Sequence, residues 1–203
     1  MITFAGKIYT EMNTIKTVAV YLGSRAGRRP EYVRNANRLG QLLASSGIGI
    51  VYGGASVGTM KALAEGALAA GGSVTGVFPE GFTGNKGNLA AGIDVSPASL
   101  GLTRVVYVKD LPERIATMQR LSDAMVFLPG SFGTMTEVFF WMEDWQLGWS
   151  RKPAFVLNTG GYYDGLLEQM HTMTREGFMD PMDASLLRPF AEPEDLVAGI
   201  LET

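Results

Sequence analysis

The chain of 203 residues contains no cysteine and a single histidine, His171. Disulfide bonds, thiolate nucleophiles and cysteine-based zinc sites are therefore excluded, and one histidine cannot build a multi-histidine metal site. Long apolar runs are also missing, since no stretch approaches the roughly 20 residues that a membrane-spanning helix needs. We accordingly predict a protein without a metal site and without a membrane partner.

An excess of charge of one sign is also missing, because 17 basic and 20 acidic residues give a net charge of −3. No block of basic residues stands out, so the sequence gives no support to nucleic-acid binding. Residues 1–16 mix charged and apolar side chains and lack the hydrophobic region of a signal peptide. We predict a cytoplasmic protein with an N-terminal extension over residues 1–16 and a single domain over residues 17–203.

Apolar residues make up 46% of the chain, which is ample for a core, and short apolar runs alternate with segments of helical spacing. This alternation predicts an α/β fold of three layers, with a mostly parallel sheet of about six or seven strands covered on both faces. Residues 81–103 predict a long loop. The predicted strands lie near residues 17–23, 47–52, 73–78, 104–108, 124–128 and 153–157.

The ten residues 128–137 read Leu-Pro-Gly-Ser-Phe-Gly-Thr-Met-Thr-Glu. They follow an apolar run at 124–127, which is typical of a buried strand, and they precede an apolar stretch at 138–142 that predicts a helix starting at Thr134. Backbone N–H groups at a helix start are unpaired and partly positive, and glycine lets a ligand approach the backbone closely. The segment therefore predicts an anion site, with Glu137 one turn into the helix and within reach of the bound group.

Two further glycine-containing loops follow predicted strands. Residues 23–25 read Gly-Ser-Arg, and residues 53–58 read Gly-Gly-Ala-Ser-Val-Gly. Because ligands bind at the carboxyl ends of parallel strands, we expect these two loops to join the anion site at one edge of the sheet. Ser24 is either a ligand contact or a helix cap, and Gly53 and Gly54 serve either a tight turn or the approach of a ligand.

Residues 129–137 resemble the Pro-Gly-Gly-x-Gly-Thr-x-x-Glu motif of the LONELY GUY (LOG) family of nucleoside 5′-monophosphate phosphoribohydrolases, once labelled lysine decarboxylases. Ser131 stands where that motif has its second glycine. The family's Met-x-x-Arg-Lys motif is matched in part, because Arg114 is kept whereas Ile115 replaces the lysine. The resemblance extends in order over residues 17–180. Other matching segments are residues 51–54, 57–58, 122–124, 146–148, 152–153, 161–164 and 176–178.

The resemblance implies a Rossmann-like fold, a homodimer and a reaction that uses no cofactor. The implied reaction is hydrolysis of the N-glycosidic bond of a purine riboside 5′-monophosphate, giving free base and ribose 5-phosphate, with AMP-like and cytokinin nucleotides as candidate substrates. Glu137 is then the carboxylate that faces C1′, and Arg114 binds the phosphate or orients the nucleotide. The predicted substrate-binding residues are Ser24, Gly53, Gly54, Gly130, Ser131, Phe132, Gly133 and Thr134.

Several side chains also fit simpler structural roles. Thr134 and Glu137 have the spacing of a capping box, in which both side chains only satisfy the start of a helix. Arg114 fits a surface charge paired with Glu113 or Asp110. For the proton donor to the leaving base, Asp123 and a water molecule are both open.

Three other functions compete with the hydrolase. A dinucleotide-dependent oxidoreductase would need G-x-G-x-x-G after the first strand, whereas residues 53–58 depart from that pattern and follow the second strand. A pyridoxal-phosphate decarboxylase needs a Schiff-base lysine, and none lies in residues 128–137. A non-catalytic nucleotide-binding protein is the third alternative, because Ile115 lacks the positive charge of the family lysine.

Overall fold

The computed structural model describes residues 15–80 and 100–203. Most of the predicted N-terminal extension and most of the predicted loop at 81–103 lie outside the described residues. The division of the chain into an extension and one domain therefore stays a prediction.

Within the described residues the chain forms seven strands, and every neighbouring pair is parallel. This arrangement confirms the predicted α/β class and the parallel sheet. The strands are β1 (Thr17–Tyr21), β2 (Gly49–Tyr52), β3 (Val74–Pro79), β4 (Arg104–Val108), β5 (Ala124–Phe127), β6 (Ala154–Leu157) and β7 (Leu187–Phe190). Their order across the sheet is β4-β3-β2-β1-β5-β6-β7.

Six α-helices in the described part of the chain cover both faces of the sheet. They are α1 (Pro30–Ser45), α2 (Gly58–Ala69), α3 (Leu111–Arg120), α4 (Phe132–Gln146), α5 (Asp164–Arg175) and α6 (Pro193–Leu201). Helices α1, α2 and α6 share one apolar core with the sheet, and α3, α4 and α5 share the other. None of these helices combines the length and the apolar character that crossing a bilayer requires.

The central strands are apolar on both sides because each side faces a layer of helices. In β1, Val18 and Val20 contribute to the core under α1, α2 and α6. Ala19 and Tyr21 point the other way, into the core under α3, α4 and α5. All four residues are buried, as the two-residue period of a strand between two layers requires.

Strand β7 is the element that the sequence pattern did not predict. Its sequence, Leu-Arg-Pro-Phe, includes a charged residue and Pro189, which cannot donate to a ladder of hydrogen bonds. Among the described strands it lies at the edge of the sheet and pairs with β6 alone, so it tolerates the proline.

The order of the strands reverses direction between β1 and β5. These two strands are neighbours, with Tyr21 opposite Phe127. The chain leaves β1 for α1 on one face of the sheet and leaves β5 for α4 on the opposite face. A crevice therefore opens beyond the carboxyl ends of the two strands, at the position where α/β sheets bind ligands.

Candidate functional site

The loops after β1 and β5 meet at the base of this crevice. The backbone N–H of Gly23 donates to the Pro129 carbonyl at 3.2 Å, and the N–H of Leu128 donates to the Tyr21 carbonyl at 2.9 Å. A Cβ atom on Gly23 would lie 3.3 Å from the Cα of Gly130, so the backbones are packed in direct contact. The expected convergence of these two loops is confirmed.

Gly130 is required by close packing. A Cβ atom at this position would overlap the side chain of Thr134, which is only 3% exposed beneath the turn. The loop therefore folds tightly over the first turn of α4 because residue 130 has no side chain.

Helix α4 begins at Phe132, two residues before the predicted start at Thr134. Ser131 is the N-cap residue with extended backbone, and its side chain makes no capping hydrogen bond. The N–H groups of residues 132–134 precede the first intrahelical partner, because the N–H of Met135 bonds to the carbonyl of Ser131. The helix start thus presents three backbone donors without a side-chain cap.

Glu137 does not cap this helix, so the capping-box alternative is wrong. Its Oε1 accepts a hydrogen bond of 2.7 Å from Nη2 of Arg114 on α3. The two side chains are only 5% and 16% exposed, respectively. The surface-charge alternative for Arg114 is equally wrong, because Glu113 accepts from the N–H of Lys109 and Asp110 accepts from the N–H of Glu113.

The three glycines of the loop after β2 differ in what they do. Gly53 lies beside the ion pair, since a Cβ there would be in ordinary contact with Nη1 of Arg114 at 3.5 Å. Gly54 has a φ of +78° and packs on Phe78, which makes it a turn residue. Gly58 has a φ of +53° and lies against the Ser24 carbonyl, so α2 begins beside the loop after β1.

Two adjoining clefts open over these loops. The smaller, of about 170 Å³, is bordered by both members of the ion pair; Ser24, Gly53, Ser131, Gly133 and Thr134 also line it. The larger, of about 420 Å³, has an aromatic side formed by Tyr32, Phe132 and Tyr162; Ser24, Gly130 and Ser131 also line it. Every predicted site residue except Gly54 borders one of these two clefts.

Comparison with known proteins identifies the family. A family model described as possible lysine decarboxylase matches residues 60–200. A cytokinin riboside 5′-monophosphate phosphoribohydrolase of Rhodococcoides fascians is 38% identical over 188 residues, which are 92% of this chain and 90% of the relative. A second one, LOG7 of Arabidopsis thaliana, is 33% identical over 187 residues, 92% of this chain and 82% of the relative.

The chain belongs to the LONELY GUY family. A solved structure of the molybdenum cofactor binding protein of Rippkaea orientalis superposes with a TM-score of 0.66 and 24% identity, covering 93% of this chain and 96% of that one. That likeness shows a common fold, and it confirms the Rossmann-like architecture that the resemblance implied.

Three residues that the sequence did not assign donate side-chain hydrogen bonds to the loops of the site. The hydroxyl of Thr59 donates to the Gly23 carbonyl at 2.6 Å, and the hydroxyl of Tyr163 donates to the Leu128 carbonyl at 2.6 Å. The hydroxyl of Tyr162 donates to the Gly130 carbonyl. The two tyrosines lie in a segment that matches the family, but the pattern alone gave no reason to connect them with the loop after β5.

Two other positions bear on the chemistry of a LONELY GUY site. Asp123 directly precedes β5, at the amino ends of the strands and away from the clefts. Its carboxylate accepts from the N–H groups of Lys16 and Thr17 at 3.0 and 2.9 Å. It is therefore not the proton donor, and that alternative was wrong. Ile115 is buried at 5% exposure, so an apolar side chain occupies the position of the family lysine.

Burial dominates the electrostatics of Glu137. It raises the pKa of the carboxyl from 4.5 to about 7, and the neighbouring Arg114 opposes that rise. Burial also raises the pKa of the Tyr21 hydroxyl, and the charge of Glu137 adds to the effect. Tyr21 therefore remains neutral, and the pKa of Glu137 lies above that of an exposed glutamate.

We predict that carbon-13 NMR of the Glu137 carboxyl gives a midpoint near pH 7, because burial disfavours the charged form. The variant Arg114→Gln should titrate higher still, since it removes the positive charge that favours the carboxylate. A midpoint at the exposed-glutamate value of about 4.3 would contradict this description of the site.

Proposed function

We propose that the protein hydrolyses the N-glycosidic bond of a cytokinin riboside 5′-monophosphate, giving the free purine base and ribose 5-phosphate. The observation that carries the proposal is the buried Arg114–Glu137 pair, joined at 2.7 Å beside the uncapped start of α4. The relatives in Rhodococcoides fascians and Arabidopsis thaliana carry this activity in their names. No other pair of opposite charges among the described ion pairs is similarly buried.

The 5′-phosphate is held at the start of α4. Backbone N–H groups of residues 132–134 donate to its oxygens, and the partial positive charge of the helix end favours the anion. Ser131 adds a hydroxyl in place of a glycine, and Ser24 faces the same space from the loop after β1. Gly133 leaves open space above its backbone, so a phosphate can approach that N–H closely.

Bond cleavage develops positive charge on the ribose at C1′. The Glu137 carboxylate stabilises that charge and takes a proton from the attacking water. The water oxygen forms a bond to C1′, the C1′–N bond breaks, and its electron pair leaves with the base, which gains a proton from solvent. Arg114 holds the carboxylate in place and increases its ionised fraction at neutral pH.

The base occupies the larger cleft. Its aromatic side, formed by Tyr32, Tyr162 and Phe132, suits a flat ring with an apolar substituent, and 420 Å³ is ample for both. The ribose then lies where the two clefts adjoin, between Ser24 and Ser131. Gly54 acts through the turn and not through direct contact with the nucleotide.

We further expect the protein to act as a cytoplasmic homodimer without a cofactor. Apolar side chains stand exposed on the surface of the single chain, Trp149 at 76% and Phe178 at 85%. Contact with a second copy would remove such surface from water.

We predict that Glu137→Gln abolishes base release and leaves nucleotide affinity within about threefold, because the amide keeps the shape but lacks the charge and the proton-accepting oxygen. Chromatography of released base and calorimetry with a panel of monophosphates, AMP and N6-isopentenyl-AMP included, measure the two quantities. Glu168→Gln, on the exposed face of α5, is the matched control. Strong turnover by Glu137→Gln would remove this residue from the mechanism, and wild-type binding without base release would favour a nucleotide sensor.

We predict that Gly133→Ala raises the KM for the monophosphate about tenfold, since the new methyl group occupies the space through which the phosphate reaches the backbone. A Cβ at this position meets no atom within 4 Å, so the fold is unaffected. Gly165→Ala is the matched control, because Gly165 is also the second residue of a helix and its Cβ also has open space. Equal KM values for the two variants would place the phosphate elsewhere.

A further inference from the structure

Arg114 and Glu137 belong to helices that rest on different parts of the sheet. Helix α3 packs against β3 and β4, whereas α4 lies over β5, with the ring of Trp141 centred 6.2 Å from that of Phe127. The two helices share an apolar core on this face of the sheet, and polar contacts at both ends of that core add to the packing that sets their separation. Their ion pair joins them beside the clefts, near the carboxyl ends of the strands.

A second connection joins the same helices near the amino ends of the strands. It is made by Lys152, in the segment between α4 and β6. The Nζ of Lys152 donates to the carbonyls of Gln119 and Ser122, both at 2.6 Å, where α3 ends. The carbonyl of Lys152 accepts from Nε1 of Trp141 on α4 at 3.0 Å.

These contacts lie on short, rigid paths to the ion pair. Trp141 is fully buried and follows Glu137 by four residues, so the two side chains share one face of α4. Gln119 follows Arg114 by five residues of continuous helix, about 7.5 Å along the axis. An ammonium group at the end of a helix also interacts favourably with the helix dipole.

We propose that Lys152 is a positioning residue for the reaction, because it fixes α3 relative to α4 and thereby holds Arg114 against Glu137. The predicted effect of Lys152 on the reaction rate rests on the proposed function. The effect on the ion pair itself is independent of turnover. Without the ammonium, the two helices keep their shared apolar core and the contact of Gln119 with Asp144. The end of α3 loses its hydrogen bonds to the segment that holds Trp141, so Arg114 is held less closely against the carboxylate.

The variant Lys152→Met tests the inference, since it keeps the length of the side chain and removes the charge. In the described part of the chain, the titratable groups that interact with Glu137 are Arg114 on α3, Tyr21 on β1 and Tyr163 before α5. Of these only Arg114 is a cation, so its displacement should raise the midpoint of the Glu137 titration by about one pH unit. The acid limb of kcat should move upward with it, and kcat should fall by about 10- to 100-fold with KM little changed.

Lys61→Met is the matched control, because Lys61 is exposed on α2 and pairs with its helix neighbour Glu65 at 3.6 Å. Lys152→Arg should restore most of the rate and the titration midpoint, since a guanidinium can donate to both carbonyls. If Lys152→Met does not fold, Lys152→Gln, which keeps a donor, takes its place in the same measurements.

An unchanged Glu137 midpoint in a folded Lys152 variant would overturn the inference, whatever its turnover. A loss of rate accompanied by the same loss in thermal stability, with the pH profile unmoved, would show a purely structural lysine and would also overturn it. If the wild type releases no base, the proposed function fails, and the NMR midpoint alone decides whether Lys152 holds the pair.

Discussion

The site depends on keeping one carboxylate and one guanidinium together out of water. Burying either charge alone is costly, and removing one partner of such a pair typically destabilises a protein by about 3–5 kcal/mol. Glu137 accordingly has a pKa of about 7 even with Arg114 beside it. In the proposed reaction, the protein bears this cost where positive charge develops on the sugar, and there a dry carboxylate interacts most strongly.

The fold brings the ion pair and the proposed anion site together from neighbouring elements. Reversal of strand order between β1 and β5 opens the crevice, and the missing side chains at Gly23 and Gly130 let the two loops close its base. The side chain of Thr134 packs beneath the turn at Gly130. The hydroxyls of Tyr162 and Tyr163 hold the same turn from the segment after β6. Near the amino ends of the strands, Lys152 connects helices α3 and α4 by hydrogen bonds to Gln119 and Trp141.

Much of this architecture could be predicted from the sequence because it depends on local pattern. Apolar runs predict strands β1 to β6, and the glycines that follow strands predict the loops of the site. The sequence does not predict strand β7, because a short edge strand that contains Pro189 has no distinctive pattern. The sequence predicts a start of α4 at Thr134, two residues after the observed start, and Ser131 occupies the N-cap position without a capping hydrogen bond. The contacts of Asp123 and Lys152 link residues that are distant in sequence, and no spacing rule reveals such partners.

The most direct test is a crystal structure of the Glu137→Gln variant with an intact nucleoside 5′-monophosphate bound. We expect the phosphate oxygens to lie within about 2.7–3.2 Å of the backbone nitrogens of residues 132–134. We also expect C1′ to face the side chain at position 137. A phosphate bound away from the start of α4, or a C1′ that points away from residue 137, would contradict the account.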